Sequence, residues 1–448
     1  MVLFQQLASL QLTSFGDVAE FLFKKVLKKK IVYFVTDQYN QGSIKSLERE
    51  RRAASEGTMR VRIEKREQKR PKQWKKYLRN DDNKLELVKF LLNDWSHPTR
   101  YAHLFTSDTY LFFNCASQMH KLTLNDGLVE SALEFDCDQE EADTKVFLCC
   151  KHAETYGASA VCISTVDSDI PLYAMYFASQ IEIPIYIEIG TNERRRCIDI
   201  NNIVGKLGVD VCMALPALHS FTGNDYTSAF YGIGKVKAFN ILLRSDEFIE
   251  VFKSIGDRFT INAEYFPKIE KFVCELYGVS KCANTNEARY KKFCSKKKSP
   301  EPQQLPPTRD ALLCHMKRVN YVTAVIKSSL TPSPFIPMPC EDYGWIVKDG
   351  KLQIQWMLRK PVPDDLIELV SCNCRKSKCS NNQCVCKSHG LPCTDLCNCD
   401  ICENQSEDNN EDEYEDELED ENLESINSEF EFSDNDYDNC NDDEISGA

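Results

Sequence analysis

The sequence contains no stretch approaching 18 consecutive apolar residues, so it predicts no membrane-spanning helix and no membrane partner. Residues 1–16 lack the basic, apolar and small-residue segments of a signal peptide, which predicts an intracellular protein that is not secreted. Residues 403–448 lack Lys and Arg altogether and carry 21 acidic residues. Residues 1–402 therefore hold 48 acidic and 55 basic residues, a net charge of +7, and the acidity is confined to a tail.

The 22 cysteines are distributed in a way that argues against a secreted disulfide framework. Nine of them fall between Cys372 and Cys402, and the other 13 are scattered singly or in one pair. Scattered cysteines without a signal peptide indicate a reducing compartment, whereas a dense cluster indicates metal ligation.

Apolar runs alternate with amphipathic segments over the first half of the chain. We predict strands at 31–35, 109–113, 160–166 and 184–189, and helices at 17–29, 85–95, 140–155 and 171–179. This alternation predicts an α/β domain with a parallel sheet flanked by helices. Further along, the pattern predicts mostly helices at 211–327, a Pro-rich linker at 331–339, a hairpin at 344–358 and a disordered acidic tail.

Acidic residues follow two of the predicted strands and open a predicted helix. Ligands of open α/β sheets bind beyond the carboxyl ends of the strands, and several carboxylates there indicate a divalent metal such as Mg²⁺ or Mn²⁺. Two such metals can hold an attacking water and a leaving oxygen for phosphodiester hydrolysis. The alternative is that each acid only caps or favours a helix start. The candidate ligands are Asp37, Glu141, Asp143, Asp167, Asp169 and Asp225.

Two glycines precede a predicted helix in Tyr231-Gly232-Ile233-Gly234-Lys235. The bare backbone N–H groups at Gly232 and Gly234 can bind a phosphate without touching a base, and Lys235 adds a cation. Asp225 stands seven residues before Gly232, which makes the pattern more specific than the glycines alone. It predicts contact with a nucleic-acid backbone.

In the order of these motifs, residues 17–260 resemble the flap endonuclease family, the 5′ nuclease branch of the PIN-like fold. Residues 225–238 are similar to its helix–two-turn–helix segment. The resemblance implies that the six acids bind Mg²⁺ or Mn²⁺ and that Gly232, Gly234 and Lys235 hold the duplex backbone. It also implies that Lys45 and Arg52 contact the scissile phosphate.

The chain departs from that family at its beginning. The family's first strand, which ends in a metal-binding Asp, has no counterpart before Asp37, and Asp17 is expected only to cap a helix. A missing ligand should weaken metal affinity and turnover. The expectation is therefore a degenerate nuclease or a truncated gene model.

The cysteine cluster follows the spacing C-x-C-x4-C-x4-C-x-C-x6-C-x3-C-x-C-x2-C. Zinc takes four thiolates in a tetrahedral array. Nine ligands exceed the need of two separate ions by one, but they satisfy three ions when three thiolates are shared. The candidate zinc ligands are Cys372, Cys374, Cys379, Cys384, Cys386, Cys393, Cys397, Cys399 and Cys402.

This spacing strongly resembles the CXC domain of the tesmin/TSO1 family. Members of that family bind DNA through basic residues and a Tyr just before the fourth Cys, where this chain has Gln383. The resemblance implies zinc binding. Sequence-specific recognition of DNA is not implied in the same way, because the tyrosine that serves it in that family is replaced by Gln383. Phosphate contact is still expected from four cations, which are Arg375, Lys376, Lys378 and Lys387.

A basic segment, 45–79, contains Trp74 and Tyr77, and this interleaving favours nucleic-acid binding over a merely solvated helix. Basic clusters at 24–30 and 296–298 are candidate nuclear-import signals. The acidic tail could bind basic proteins, compete with DNA for the basic body, or only aid solubility.

We divide the chain into a nuclease-like domain (1–260), a helical extension (261–330), a linker with a hairpin (331–371), a zinc module (372–404) and a tail (405–448). The first hypothesis is a metal-dependent, structure-selective nuclease in the nucleus that acts on branched or duplex DNA, with RNA left open. The alternative is a non-catalytic, zinc-dependent DNA- or chromatin-binding protein, for which a mobile-element origin is a reasonable expectation. An acid-rich phosphatase is a third hypothesis.

Overall fold

The structure of the protein is a computed structural model. It describes residues 2–38, 44, 59–190, 195–295, 301–359, 372–375, 378–388, 390–393, 397–399 and 402–404. The chain divides into two compact units, Met1–Ile367 and Glu368–Ala448. The predictions for Lys45, Arg52, Lys376 and the tail at 405–448 lie outside the described residues.

The elements of the first unit follow one another along the chain. The α-helices are α1 (Val2–Gln6), α2 (Phe15–Val26), α3 (Trp74–Leu78), α4 (Asp81–Trp95), α5 (Ala142–Thr155), α6 (Asp169–Phe177), α7 (Ile200–Leu207), α8 (Val209–Thr222), α9 (Lys235–Leu242), α10 (Asp246–Ser254), α11 (Phe266–Leu276), α12 (Thr285–Ser295) and α13 (Arg309–Lys327). The strands are β1 (Ile31–Phe34), β2 (Tyr110–Cys115), β3 (Gln118–Asn125), β4 (Leu128–Asp136), β5 (Val161–Thr165), β6 (Ile185–Ile189), β7 (Arg196–Asp199), β8 (Trp345–Lys348) and β9 (Lys351–Ile354). The predicted strands and helices of the first half are confirmed, with small shifts at their ends.

The predicted single parallel sheet is wrong, because the described strands form three sheets. In the first sheet β1 runs parallel to β2, and β2, β3 and β4 then form an antiparallel meander. The turn between β3 and β4 is Asp126-Gly127, both with positive φ (46° and 77°). An Asp-Gly pair between two strands is a strong hairpin signal that the sequence analysis missed.

The second sheet has the order β5-β6-β7, with β5 and β6 parallel and β7 antiparallel. In their sheets, β1 and β5 are edge strands among the described residues. Helix α5 packs on both sheets. Phe147 belongs to the core built on β5 and β6, and the ring of His152 lies 5.2 Å from that of Phe112 on β2.

Helices α2, α3 and α4 cover the other face of the first sheet. Ser14 is the N-cap of α2 and Asp17, at the third helical position, completes a capping box, so Asp17 serves the helix start as predicted although it is not the cap residue itself. The rings of Trp74 and Tyr77 stack 4.8 Å apart and are buried in the core. The prediction that these two aromatic residues favour nucleic-acid binding is therefore wrong, because buried rings cannot stack on bases.

Residues 211–327 are mostly helical, as predicted, and α8, α10, α11 and α13 enclose a core rich in phenylalanine. Among the described residues no single helix is long and apolar enough to cross a membrane, but α7 and α8, bent by 103°, meet the test of length and composition as a pair. The predicted hairpin at 344–358 is confirmed as β8 and β9.

Candidate metal centres

The nine clustered cysteines of the second unit converge in space, although they are spread over 31 residues of chain. Five of them are buried and four are half-buried. Helix α14 (Val385–Ser388) carries Cys386, and the N–H of Ser388 donates to Cys384 O at 2.9 Å. The positive φ angles of Lys378 (48°) and Cys379 (59°) make a sharp turn that returns the chain to the cluster.

Three backbone hydrogen bonds fasten distant parts of this module to one another. Their donors and acceptors are Asn398 N and Cys372 O (2.8 Å), Cys393 N and Asn404 O (2.7 Å), and Glu403 N and Lys378 O (2.7 Å). The first cysteine of the cluster is thereby held beside the last segment of the module.

The sulfur atoms are spaced as ligands of a common metal would be. Four Sγ–Sγ distances fall between 3.4 and 3.8 Å: Cys372–Cys379 (3.6 Å), Cys372–Cys393 (3.8 Å), Cys384–Cys393 (3.6 Å) and Cys386–Cys397 (3.4 Å). A disulfide would need about 2.05 Å. Four sulfurs in a tetrahedron around zinc, each about 2.3 Å from the ion, lie about 3.8 Å apart, close to the separations seen here.

Several thiols belong to more than one possible ligand set. The sets are Cys372, Cys384, Cys386 and Cys393; Cys372, Cys374, Cys379 and Cys384; and Cys372, Cys379, Cys393 and Cys399. Cys372 is in all three. This overlap is what shared thiolates predict, because a bridging sulfur must lie within reach of two ions.

The charge around the cluster suits both a metal and an anion. Burial raises the pKa of the Cys386 thiol to about 11 and that of Cys393 to about 12, whereas at Cys384 hydrogen bonds from the Lys387 N–H and from Cys393 outweigh burial and lower the pKa to about 6. Thiolates are the form that binds zinc. Arg375, Lys378 and Lys387 have exposed side chains on the surface of the module.

The predicted carboxylates of the first unit lie around one region. Asp37 follows β1, and its Oδ1 accepts a hydrogen bond from Ala142 N at 2.9 Å. Ala142 stands between Glu141 and Asp143 at the start of α5. The structure therefore brings together acids that are about a hundred residues apart in the sequence.

Tyr173, on α6, links these acids to Asp167 and Asp169. Burial raises the pKa of the Tyr173 phenol well above its usual value. Repulsion from nearby acids adds to this effect, and these acids are Asp169, Asp143, Glu141 and Asp167. Four of the six predicted ligands thus lie near enough to this phenol for their charges to act on it.

Asp169 has a buried imidazole as its partner. Nε2 of His219, on α8, lies 3.1 Å from Asp169 Oδ2. Burial would raise the pKa of Asp169, but the hydrogen bond and charge of His219, with the charge of Lys235, outweigh it and lower the pKa. Asp169 is therefore held in the charged form that a cation requires.

The glycine segment reaches the same region. The Tyr226 hydroxyl donates to Glu141 Oε1, and the exposed Asp225 directly precedes Tyr226. Gly232 has φ +71°, and Gly234 is the N-cap of α9, which begins at Lys235. A pocket of about 250 Å³ lies beside Gly232 and is also lined by Lys237 and Lys292.

Three residues that adjoin the acids were missed by the sequence analysis. His219, treated there as an ordinary helix residue, lies 50 positions from Asp169 and has no local signal. Tyr226 could have been found, since it adjoins Asp225. Lys145 Nζ donates a hydrogen bond at 2.8 Å to the carbonyl oxygen of Thr36, the residue before Asp37, and burial lowers the pKa of Lys145 to about 8.

The two centres differ in how tightly their ligand atoms gather. Among the residues that the structure describes, the groups of three or more side chains whose possible ligand atoms all lie within 4.8 Å of one another consist of cysteines. The carboxylates share a region and a tyrosine, but in the described part of the chain they form no such group.

Residues 369–406 match the family model of the Tesmin/TSO1-like CXC domain, cysteine-rich domain. This match spans all nine clustered cysteines and no residue of the predicted nuclease domain. No curated protein and no solved structure is significantly similar to the chain. The chain thus contains a Tesmin/TSO1-like CXC domain, as the cysteine spacing predicts, and its clustered thiols are consistent with zinc binding.

Proposed function

We propose that this protein is a zinc-dependent DNA-binding protein that acts on chromatin in the nucleus. The observation that carries the proposal is the gathering of nine thiols, seven of them in sets at ligand spacing, inside a match to a DNA-binding type of domain. Zinc supplies the folding free energy of such a module, typically about 10–16 kcal/mol for a structural ion. DNA binding should therefore depend on the metal.

Three zinc ions fit the cluster best. Twelve coordination positions are needed, and nine thiolates supply them when three are shared between ions. Cys372 is the strongest candidate for sharing because every possible ligand set contains it. Replacing it should disturb more than one ion at once.

The contact with DNA is proposed to be with phosphates rather than base edges. Arg375, Lys378 and Lys387 are exposed, whereas Gln383 stands where the related domains carry a tyrosine. Each phosphate contact releases a counterion, so three contacts give a slope of about −3 in a plot of log K against log salt. Binding should vary little with base sequence.

Cys372→Ser tests this proposal, with Cys197→Ser, an exposed thiol of the first unit, as the matched control. We expect Cys372→Ser to lower the zinc content per chain and to weaken duplex binding at least about tenfold, because the module loses its metal. Zinc is counted by native mass spectrometry and affinity by fluorescence anisotropy. Equal DNA affinity of the two variants would contradict the proposal.

A second candidate function is metal-dependent cleavage of DNA by the first unit. It is supported by the charges of four acids that act on Tyr173, by the hydrogen bond that Asp37 accepts from Ala142 N at the start of α5, and by the partnership of Asp169 with His219. Mg²⁺ or Mn²⁺ would have to draw together the six predicted acids, which form no ligand group among the described residues. Gly232, Gly234 and Lys235, with the adjoining pocket, would bind the duplex backbone.

This candidate is tested with flap, gap and hairpin DNA in the presence of Mg²⁺ or Mn²⁺. We expect cleavage that Asp167→Ala and Asp169→Ala abolish. Asp126→Asn, in the turn between β3 and β4, is the control and should leave cleavage unchanged, because it removes a carboxylate outside the group. Binding without cleavage by the unaltered chain would leave only the zinc-dependent function, and preference for small phosphate esters would indicate a phosphatase.

A further inference from the structure

Residues 331–339, Thr-Pro-Ser-Pro-Phe-Ile-Pro-Met-Pro, form a segment between α13 and β8 that the proposed function does not use. We call it the proline strap. It contains no charged residue, and eight of its nine residues are either proline or the residue before a proline. Proline fixes φ near −65°, and the preceding residue is pushed to extended or polyproline II conformations. The sequence therefore favours an extended backbone over most of the strap, and the structure bends it only near its ends, at 331–333 and at 339.

The strap is fastened to the first unit near both ends. Gln139 Nε2 donates to Thr331 O at 2.8 Å, and Asp138 N donates to Pro332 O at 3.2 Å. At the other end, the hydroxyl of buried Tyr321 donates to Pro337 O at 2.8 Å. Between these points the strap has neither helix nor strand.

Large apolar side chains point outward from this anchored backbone. Phe335 is 86% exposed and Met338 is 63% exposed, while Pro337 between them is buried. Isolated exposed apolar residues are common and need no explanation. An uncharged, proline-stiffened segment with a fully exposed phenylalanine side chain is instead the kind of segment that domains with aromatic-lined grooves recognise.

We propose that the proline strap is a docking site for a partner protein with an aromatic-lined groove of the kind that binds polyproline II segments. The exposed Pro332 and the half-buried Pro334 would lie in the groove, and Phe335 would fill an adjacent apolar pocket, while the buried Pro337 stays packed on the fold. Because the strap is already held in place, little backbone freedom is lost on binding. The absence of charge implies an interaction that is insensitive to salt, unlike the contact with DNA.

The test uses the full chain, loaded with zinc, against isolated SH3, WW and EVH1 domains, with affinity measured by fluorescence anisotropy. At least one domain should bind, and Phe335→Ala should weaken that binding about 30-fold or more, as at an interface hot spot. Tyr290→Ala, at a residue that is 69% exposed elsewhere on the first unit, is the control and should bind like the unaltered chain.

The free nonapeptide should bind at least about tenfold more weakly than the full chain, because it is not held in place. Raising the salt several-fold should leave the affinity unchanged. The proposal is overturned if no domain binds, if Phe335→Ala binds as well as the unaltered chain, or if binding disappears with salt. An unchanged thermal melt of Phe335→Ala is expected, since the ring makes little contact with the fold.

Discussion

His315 should make the stability of the first unit depend on pH. Its Nε2–H donates to Phe221 O at 2.9 Å, and its ring lies 5.5 Å from the rings of Phe221 and Phe230. Burial lowers the pKa of His315 from 6.5 to about 4, the bond to Phe221 opposes this, and the charge of Arg318 adds to it.

The sign follows from which state binds the proton first. As the pH falls, the unfolded chain takes up a proton near pH 6.5 and the folded chain only near pH 4. The contribution of His315 to stability is therefore complete above about pH 6.5 and is lost as the pH falls towards about 4. From about pH 7.5 to about pH 5 the free energy of unfolding should drop by about 2 kcal/mol through this residue alone.

His315→Gln removes this titration and keeps a neutral donor for Phe221 O. Urea unfolding is followed by tryptophan fluorescence, which reports on the first unit alone because it holds all four tryptophans. The difference in unfolding free energy between the unaltered chain and the variant should shrink by about 2 kcal/mol over that pH range. His103→Gln, at an exposed histidine, is the control. A difference that stays constant with pH would refute the reasoning.

Three further predictions concern backbone conformation and buried charge. Gly256→Ala should destabilise the first unit by about 3 kcal/mol, because Gly256 has a φ of +83° and the new Cβ would lie 2.7 Å from Thr323 Cγ2. Gly157→Ala is the control and should cost about 1 kcal/mol, because Gly157 has a φ of +70° but no atom within 4 Å of the new Cβ. Equal losses of unfolding free energy in urea would contradict this prediction. Arg318→Ala should lower the free energy of unfolding by about 3 kcal/mol in the same assay, because the buried guanidinium donates to Gln355 O at 2.8 Å and to Gly344 O at 3.3 Å. A decrease of less than about 1 kcal/mol would show that these hydrogen bonds contribute little to stability. Lys378→Gly should hold zinc more tightly than Lys378→Ala in chelator competition, because residue 378 has a φ of +48°, which glycine adopts more readily than alanine. Both variants should weaken DNA binding equally. Equal zinc affinity of the two variants would argue against strain at this turn.

The zinc module could be predicted from sequence because its ligands are close together in the chain. Cys372 to Cys402 span 31 residues, so the spacing of the thiols already limits the geometry. The basic surface was also visible, since Arg375, Lys378 and Lys387 lie within the same short segment. What the sequence could not show is which thiols are near which, and the overlap of the possible ligand sets at Cys372 emerges only in three dimensions.

The carboxylate region was predicted only in part. The acids after β1 and β5 were recognisable because each follows an apolar run, and the structure brings four acids near enough to Tyr173 for their charges to raise its pKa. The imidazole of His219 and the ammonium of Lys145 come from helices whose packing has no local signature. Their contribution depends on tertiary packing, so no spacing rule could have identified them.

The sheet was mispredicted for a specific reason. Residues 110–136 form three antiparallel strands, and the Asp126-Gly127 pair is a sequence signal for a hairpin there. The prediction of a parallel sheet came from the alternation of strands and helices elsewhere in the chain. Trp74 and Tyr77 likewise lie in a basic segment, where the side chains of Lys72, Lys75 and Arg79 are exposed while the two aromatic rings complete the core. Charge and aromatic content together did not reveal which side chains face the solvent.

The central claim is that zinc organises the cysteine cluster into a DNA-binding module. The most direct test measures the affinity of the full chain for duplex DNA when loaded with zinc, after a zinc-selective chelator, and after zinc is restored, all in a constant excess of Mg²⁺. The account predicts that removal weakens binding at least about tenfold and that restored zinc recovers it. An affinity that does not change when zinc is removed would contradict it.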